Sequence, residues 1–331
     1  MAYKILVLKG DGIGPEVVGE AQQVLKVIAR RSAIDLEFKD GMIGGHALDA
    51  AGTPLPDDVL KLAQDSDAIL LGAVGGPKWD KPDAEKRPEQ ALLGLRKALG
   101  LFANVRPVKA VKELMAASPL KPDVINGVDV VIIRELTGGI YYGKPSEKRT
   151  AKDGREAVDT CFYSEAEIVR VLKYGFELAQ ERRRKLTSVD KANVLATSRL
   201  WREIATEMSA QFKDVAFENQ LVDSMAMHLI RRPKDFDVVV TENMFGDILT
   251  DEASVLAGSR GMLPSASLGE ELNGAGFRIG MYEPIHGTAP DIAGRDEANP
   301  LAAILSAAML LEHSLGLRAE AELVVGAVEA V

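Results

Sequence analysis

Short apolar runs alternate with stretches of helical periodicity along most of the chain, and that alternation marks an α/β fold with much parallel sheet. The strand-like runs are KILVL (4–8), DAILLGAV (67–74), VDVVIIREL (128–136), LTSVDKA (186–192) and FDVVVTE (236–242). Between the third and fourth, Ser164 and Glu167 form a capping box, and Ile168, Val171, Leu172 and Phe176 follow at helical spacing. A helix running to about Arg183 is expected there, with its basic end RRRK solvated and favoured by the helix dipole.

The stretch GIYYGKPSEKRTAKDGREAVDTCFYS breaks the alternation. Two extended pieces flank the turn signal Asp153-Gly154, so it reads as a projecting hairpin. A hairpin with apolar residues at its base commonly pairs with a partner chain, and a homodimer is expected. Parallel-sheet units with an inserted hairpin suggest two domains, one of them discontinuous, with a cleft between them. The expected boundaries are 1–102 with 256–331 for the larger domain and 103–255 for the smaller, the hairpin arm occupying about 140–163.

The formal charge is −9 over 331 residues, the wrong sign for a surface that grips nucleic-acid phosphates. A small-molecule partner is favoured. The single cysteine, Cys161, supplies neither an internal disulfide nor a thiolate zinc cluster, and is expected to be buried and structural. Met1 to Gly10 reads as a strand, and no later run approaches the ~18 apolar residues of a membrane span. A cytoplasmic protein without membrane association is expected.

Directly behind the first strand comes KGDGIGPEV, with three alternating glycines. The pattern G-x-G-x-x-G that opens at Gly10 meets Pro15 where its third glycine should stand, so the Rossmann fingerprint fails; Pro15 suits the first turn of a helix. In NMFGDILTDEAS, Asp247 and Asp251 stand four apart in a helical pattern, and both carboxylates leave one face. A divalent cation turns their repulsion into chelation, and oxygen-only ligands suit Mg²⁺ or Mn²⁺.

Arg96 and Arg106 flank KALGLFANV, and Arg134 ends a buried run, where a charge needs a partner. Three guanidinium forks suit a di- or tricarboxylate. Tyr141 follows Arg134 in TGGIYYG and Lys191 closes the fourth strand; they make an acid–base pair if burial or neighbouring cations lower their pKa values. The segment EPIHGTAPDIAGRDEANP (283–300) is rich in small residues, with a helix expected to begin near Asn299. Such a loop can lie against a flat ligand, and Asp291 would accept from ribose hydroxyls and repel a 2′-phosphate, favouring NAD over NADP.

Together with LFANVRPVK, RELTGGIYYG, VDKANVL and VDSMAMHL, these motifs occur in an order that resembles the β-decarboxylating dehydrogenases, the family of isocitrate and isopropylmalate dehydrogenases, across essentially the whole chain. The resemblance implies a two-domain α/β fold of the isocitrate/isopropylmalate dehydrogenase type, with a large mixed sheet and not a Rossmann fold. It implies that Arg96, Arg106 and Arg134 hold the malate carboxylates, and that Asp223, Asp247 and Asp251 bind Mg²⁺ or Mn²⁺, Asp223 also touching substrate. Tyr141 and Lys191 match the catalytic pair. Lys191 and Asp223 would reach the site from the other subunit of a homodimer. NAD would meet Ile13, the segment from Gly76 to Glu89, and His286, Gly287, Thr288, Ala289, Pro290, Asp291, Ile292, Ala298 and Asn299.

Within the family, EQALLGLR resembles the isopropylmalate branch. Leu92 and Leu93 precede Arg96 and suit an isopropyl group, where isocitrate enzymes place Ser and Asn for a third carboxylate. The implied reaction is NAD-dependent oxidative decarboxylation of (2R,3S)-3-isopropylmalate to 4-methyl-2-oxopentanoate and CO₂, in leucine biosynthesis. Lys191, through water and Asp223, would help remove the hydroxyl proton as hydride passes to NAD; the metal would stabilise the enolate, and Tyr141 would protonate it. Family members continue beyond VVGAVEAV, so a trimmed last helix is expected.

D-malate, tartrate and homoisocitrate are the competing substrates within the family, the last opposed by Leu92 and Leu93. Outside it, a dicarboxylate-binding protein would use the same arginines without turnover. A P-loop kinase is unsupported, since no G-x-x-x-x-G-K-[ST] occurs.

Overall fold

The computed structural model describes residues 2–80 and 86–331. They form two compact units, Met1–Leu101 with Arg260–Val331, and Phe102–Ser259. The first opens with β1 (Tyr3–Gly10), α1 (Gly14–Ser32), β2 (Leu36–Gly41), α2 (Gly44–Ala51), α3 (Asp57–Gln64), β3 (Ala68–Ala73) and α4 (Glu89–Ala98). β1 pairs in parallel with both β2 and β3. Its centre and all of β3 are buried, as strands covered on both faces must be.

The glycine turn between β1 and α1 is shaped by backbone contact. Gly12 has φ +58°, and a Cβ there would lie 2.0 Å from the Thr288 carbonyl oxygen, so only glycine fits. Pro15 occupies the first turn of α1, where its missing N–H costs nothing. Asp11 turns inward and accepts from the backbone N–H groups of Gly45 at 2.8 Å, His46 at 2.9 Å and Gly75 at 2.8 Å. Two of those are otherwise orphan donors of the first turn of α2.

The second unit takes in β4 (Leu101–Lys109), α5 (Pro122–Ile125), β5 (Asp129–Glu135), β6 (Ser146–Ala151), β7 (Gly154–Asp159) and α6 (Glu165–Glu181). It continues with β8 (Lys185–Asp190), α7 (Ala196–Ser209), β9 (Ala216–Leu221), α8 (Val222–Arg231), β10 (Val238–Thr241) and α9 (Asn243–Ala253). Its main sheet runs β4-β5-β10-β8-β9, antiparallel only between β4 and β5. The capping box forms as expected, Glu167 N–H donating to Ser164 Oγ while the Glu167 carboxylate accepts from Ser164 N–H, and the Ile168, Val171, Leu172 and Phe176 stripe is fully buried.

Three local expectations are corrected. The RRRK end is only partly solvated: Arg183 and Arg184 stay exposed, but α6 stops at Glu181, Arg182 donates to Asp237 at 2.8 Å and to Asp129 at 2.7 Å, and the Arg183 N–H donates to Asp237 at 2.7 Å. Asp237 is buried and needs that pairing, and the clamp ties α6 to the start of β5 and of β10. In the hairpin, Ala151 pairs with Gly154, so the two-residue loop is Lys152-Asp153 and Gly154 is the first residue of β7. Cys161 is half-buried, in the wall of a cavity of about 290 Å³ with Ile140, Tyr163, Leu195, Trp201 and Met244.

The chain then returns to the first unit with β11 (Pro264–Leu272), β12 (Arg278–Pro284), α10 (Leu301–His313) and α11 (Arg318–Glu329). β12 lies parallel to β3 and antiparallel to β11, completing the order β2-β1-β3-β12-β11. β11, antiparallel to β12, departs from an all-parallel Rossmann sheet. α10 starts at Leu301, whose N–H donates to Asn299 Oδ1 at 2.9 Å. Among the described residues no helix is long and apolar enough to cross a membrane.

Candidate active site

In the second unit, parallel pairing sets Arg134, near the end of β5, beside Thr241, the last residue of β10. α9 begins two residues later, so its first turn arrives over the arginine. Arg134 Nε donates to Asn243 Oδ1 at 2.9 Å, and Nη1 hydrogen-bonds the Asp247 carboxylate. A Cβ on Gly246 would lie 2.6 Å from both Cβ and Cγ of Arg134, so the helix passes this close only with glycine there.

Tyr141 ends a short 3₁₀ turn, Gly139–Tyr141, and its hydroxyl donates to the other Asp247 oxygen at 2.9 Å. The Arg134 guanidinium carbon lies 5.6 Å from its ring centroid. The lowering expected of Tyr141 is not found: burial first, then the Asp247 carboxylate, push its pKa up to about 12. It therefore holds its proton at ordinary pH and is a donor.

Arg106, on β4, donates through Nε to Asn104 and through Nη1 to Thr250, both at 2.7 Å, with the Asp251 carboxylate 3.8 Å away. Asp247 and Asp251, one turn apart on α9, thus each face an arginine while their side chains stay 41% and 60% exposed. Lys191 sits just past β8, and its Nζ donates at 2.5 Å to Asp223 in the first turn of α8, holding that carboxyl below the usual range. Among the described residues no group of three His, Cys, Asp or Glu side chains is placed to hold a metal ion. One chain supplies the Asp247/Asp251 pair, and its Asp223 is engaged by Lys191.

Beneath these residues lie two buried carboxylates that no periodicity flagged. The Tyr163 hydroxyl lies 3.2 Å from Glu135 and 3.4 Å from Glu242, and accepts from the Asn243 N–H at 3.0 Å. Glu242 also caps α9, accepting from Phe245 N–H at 2.8 Å. Burial pushes the Glu242 pKa up despite those bonds. The folded chain thus binds this proton more tightly than the unfolded one, so the group favours the fold at low pH and that advantage is lost as pH rises from the unfolded value through the folded one. Glu242→Gln keeps a capping oxygen and carries no charge. It is expected to melt above the wild type once pH exceeds about 5, with the gap closing below about pH 4; a gap that stays constant in melts from pH 4 to 8 refutes this.

In the first unit, Glu89, Leu92, Leu93 and Arg96 share one face of α4. Arg96 is buried; Nη2 donates to Glu283 at 3.1 Å, and Nε is buried with no partner among the described residues. An open donor on a buried guanidinium is a seat for a carboxylate. Leu92 packs partly against the core, and Leu93 is exposed.

The loop after β12 is held to the glycine turn. Ile13 N–H donates to the Thr288 carbonyl at 2.9 Å, and the Glu16 carboxylate accepts from the Gly294 and Asp296 N–H groups. Gly287, Pro290 and Asp291 stay exposed, Ala289, Ile292 and Ala298 are half-buried, and Asn299 Oδ1 accepts from the Leu301 N–H at the start of α10. His286 Nδ1 donates to the Gly287 carbonyl at 3.0 Å, which leaves Nε2 a buried acceptor without a partner among the described residues, and a nucleotide's hydroxyl would fill it. Of the segment from Gly76 to Glu89, residues Lys81 to Glu85 lie outside the described residues.

The model of the isocitrate/isopropylmalate dehydrogenase family matches residues 4–331. A 3-isopropylmalate dehydrogenase of Geobacillus kaustophilus is 58% identical over 326 residues, 98% of this chain and 86% of that protein. Among solved structures, isocitrate dehydrogenase from Methylococcus capsulatus has a TM-score of 0.85 at 31% identity, covering 99% of this chain and 90% of the other. A β-decarboxylating dehydrogenase from Thermococcus kodakarensis has a TM-score of 0.77 at 36% identity, covering 99% and 87%. The mixed α/β architecture, the motif order and these likenesses agree: the chain belongs to the isocitrate/isopropylmalate dehydrogenase family, whose chemistry calls for a nucleotide cofactor and a metal.

Proposed function

We propose that the chain is a dehydrogenase of leucine biosynthesis, oxidatively decarboxylating (2R,3S)-3-isopropylmalate to 4-methyl-2-oxopentanoate and CO₂ with NAD and Mg²⁺ or Mn²⁺. The observation that carries the substrate is the face of α4, where Leu92 and Leu93 stand one turn before buried Arg96 and its open Nε. An isopropyl group is matched there, and a third carboxylate would find no donor from either leucine.

Arg96, Arg106 and Arg134 bind the malate carboxylates. Asp247 and Asp251, with Asp223 of the partner subunit, would hold the divalent ion, which when bound supplies a Lewis acid against negative charge developing on the substrate. Lys191, through water and Asp223, would take the hydroxyl proton, and NAD when bound would supply the hydride acceptor. Tyr141, which keeps its proton, delivers it to the carbon that has lost CO₂. Ile13, Gly76, Glu89 and the loop from His286 to Asn299 would hold NAD, with Asp291 accepting from ribose hydroxyls.

This reading includes a homodimer. In the second unit Phe162, Val194, Met227 and Ile248 leave large apolar side chains exposed, and among the described residues β6 and β7 pair only with each other. A lone two-stranded hairpin is marginal in water. A second copy covering both would remove that weakness.

The test is a panel of kcat/KM values for isopropylmalate, D-malate, tartrate, homoisocitrate and isocitrate, with NAD or NADP, with and without EDTA. Isopropylmalate with NAD is expected to lead by at least about tenfold, and EDTA to abolish turnover. Preference for another substrate overturns the assignment, and activity that survives EDTA removes the metal role of the aspartates.

A further inference from the structure

Asn243 is fully buried and makes three hydrogen bonds whose directions are fixed by their partners. Its Oδ1 accepts from Arg134 Nε at 2.9 Å, its Nδ2 donates to the Gly138 carbonyl at 3.0 Å, and its N–H donates to the Tyr163 hydroxyl at 3.0 Å. A guanidinium only donates and a carbonyl only accepts, so the amide has a single orientation. Neither an ionised Asp nor a Leu makes both side-chain bonds.

Gly138 precedes the turn Gly139–Tyr141. At the far end of that turn Tyr141 donates to Asp247, and Asp247 binds Arg134. The bonds close a circuit from Arg134 through Asn243 to Gly138, along the turn to Tyr141, and through Asp247 back to Arg134. Asp247 is partly open to water, whereas Asn243 is sealed from it, so the amide is the stiffer of the two links.

We infer that Asn243 is a positioning residue: it fixes the turn that carries Tyr141 relative to the Arg134 guanidinium, so that proton donor and carboxylate clamp keep one spacing. This rests on the roles proposed above for Tyr141 and Arg134. Asn243→Asp retains the acceptor for Arg134 but sets an oxygen against the Gly138 carbonyl. Its kcat is expected to fall about 10- to 100-fold while KM for isopropylmalate moves less than about threefold. Asn243→Leu loses both links, and KM is expected to rise about tenfold as well.

The deciding measurement is a double-mutant cycle. In a Tyr141→Phe background, Asn243→Asp is expected to lower kcat by less than about a further threefold, because the group it positions is already gone. Additive losses in kcat overturn the inference. So does a lower melting temperature with kcat per folded subunit and KM unchanged, which marks Asn243 as structural. If the aspartate variant does not fold, Asn243→Ser, which also loses the Gly138 bond, goes through the same cycle, and additive or unchanged kcat overturns the inference there too. Wild-type turnover of isopropylmalate, measured first, separates the failures: its absence overturns the functional reading and this inference together, while its presence with additive variants overturns the positioning role alone.

Discussion

Replacing Asp247 by asparagine is expected to lower kcat/KM for isopropylmalate by about 10³-fold or more, the largest loss of any single carboxylate here. One Asp247 oxygen faces Arg134 and the other accepts from Tyr141. Asparagine keeps one acceptor and turns the other into a donor, which then meets either the guanidinium or the tyrosine hydroxyl. The proposed metal loses a charged ligand in the same change. Because the metal ligand is lost and one of the two protein contacts is lost or reversed in the same change, saturating Mg²⁺ is not expected to restore the rate. Asp251→Asn is the comparison: it is more exposed, and Arg106 retains Thr250 and Asn104 as hydrogen-bond partners. Steady-state kinetics over a Mg²⁺ series, with calorimetric metal titration, check both variants. An Asp247→Asn enzyme within tenfold of wild type refutes the prediction.

Lys191→Met is expected to lower kcat about 10²- to 10⁴-fold with KM little changed, as for loss of an acid–base group that does not anchor substrate. Methionine keeps the length of the stem but cannot donate to Asp223. If each site takes Lys191 and Asp223 from the other subunit, the two defects complement. Equal amounts of Lys191→Met and Asp247→Asn chains, unfolded and refolded together, form mixed dimers in which one of the two sites has every group intact. Recovery to about a quarter of the wild-type rate is expected, half of the dimers being mixed with one working site each. Refolding either variant alone is expected to recover nothing. No recovery in the mixture, with dimers formed, would place Lys191 and Asp247 of one chain in one site.

Elements defined by period and local chemistry were legible in the sequence. KILVL, AILLGA and the capping box at Ser164 each carry their instruction in a few neighbouring residues, and each forms where that instruction points. Pairing was legible only by halves. Arg134 announced that a charge at the end of a buried strand needs a partner, but Asn243 and Asp247 come from an element more than a hundred residues later. The same gap explains the misreading of RRRK, since Asp129 and Asp237 meet it only after β5 and β10 have paired. Glu283, Thr250, Asn104 and Asp11 were missed for a related reason. Each is a polar residue in an apolar or glycine-rich stretch, and what it holds is visible only in three dimensions.

The return of the chain to its first unit sets an order of events during synthesis. β3 is apolar along its whole length, and one of its edges waits for β12, which leaves the ribosome more than half the chain later. At about 5–20 residues per second the delay is on the order of tens of seconds. Over that interval the nascent amino-terminal segment carries an unpaired, flat, hydrophobic strand, the kind of edge that recruits other chains. The second unit is continuous in sequence, so its strands from β5 to β10 have all emerged before β12 does. The first hundred residues thus stay short of a sheet partner until the last seventy arrive.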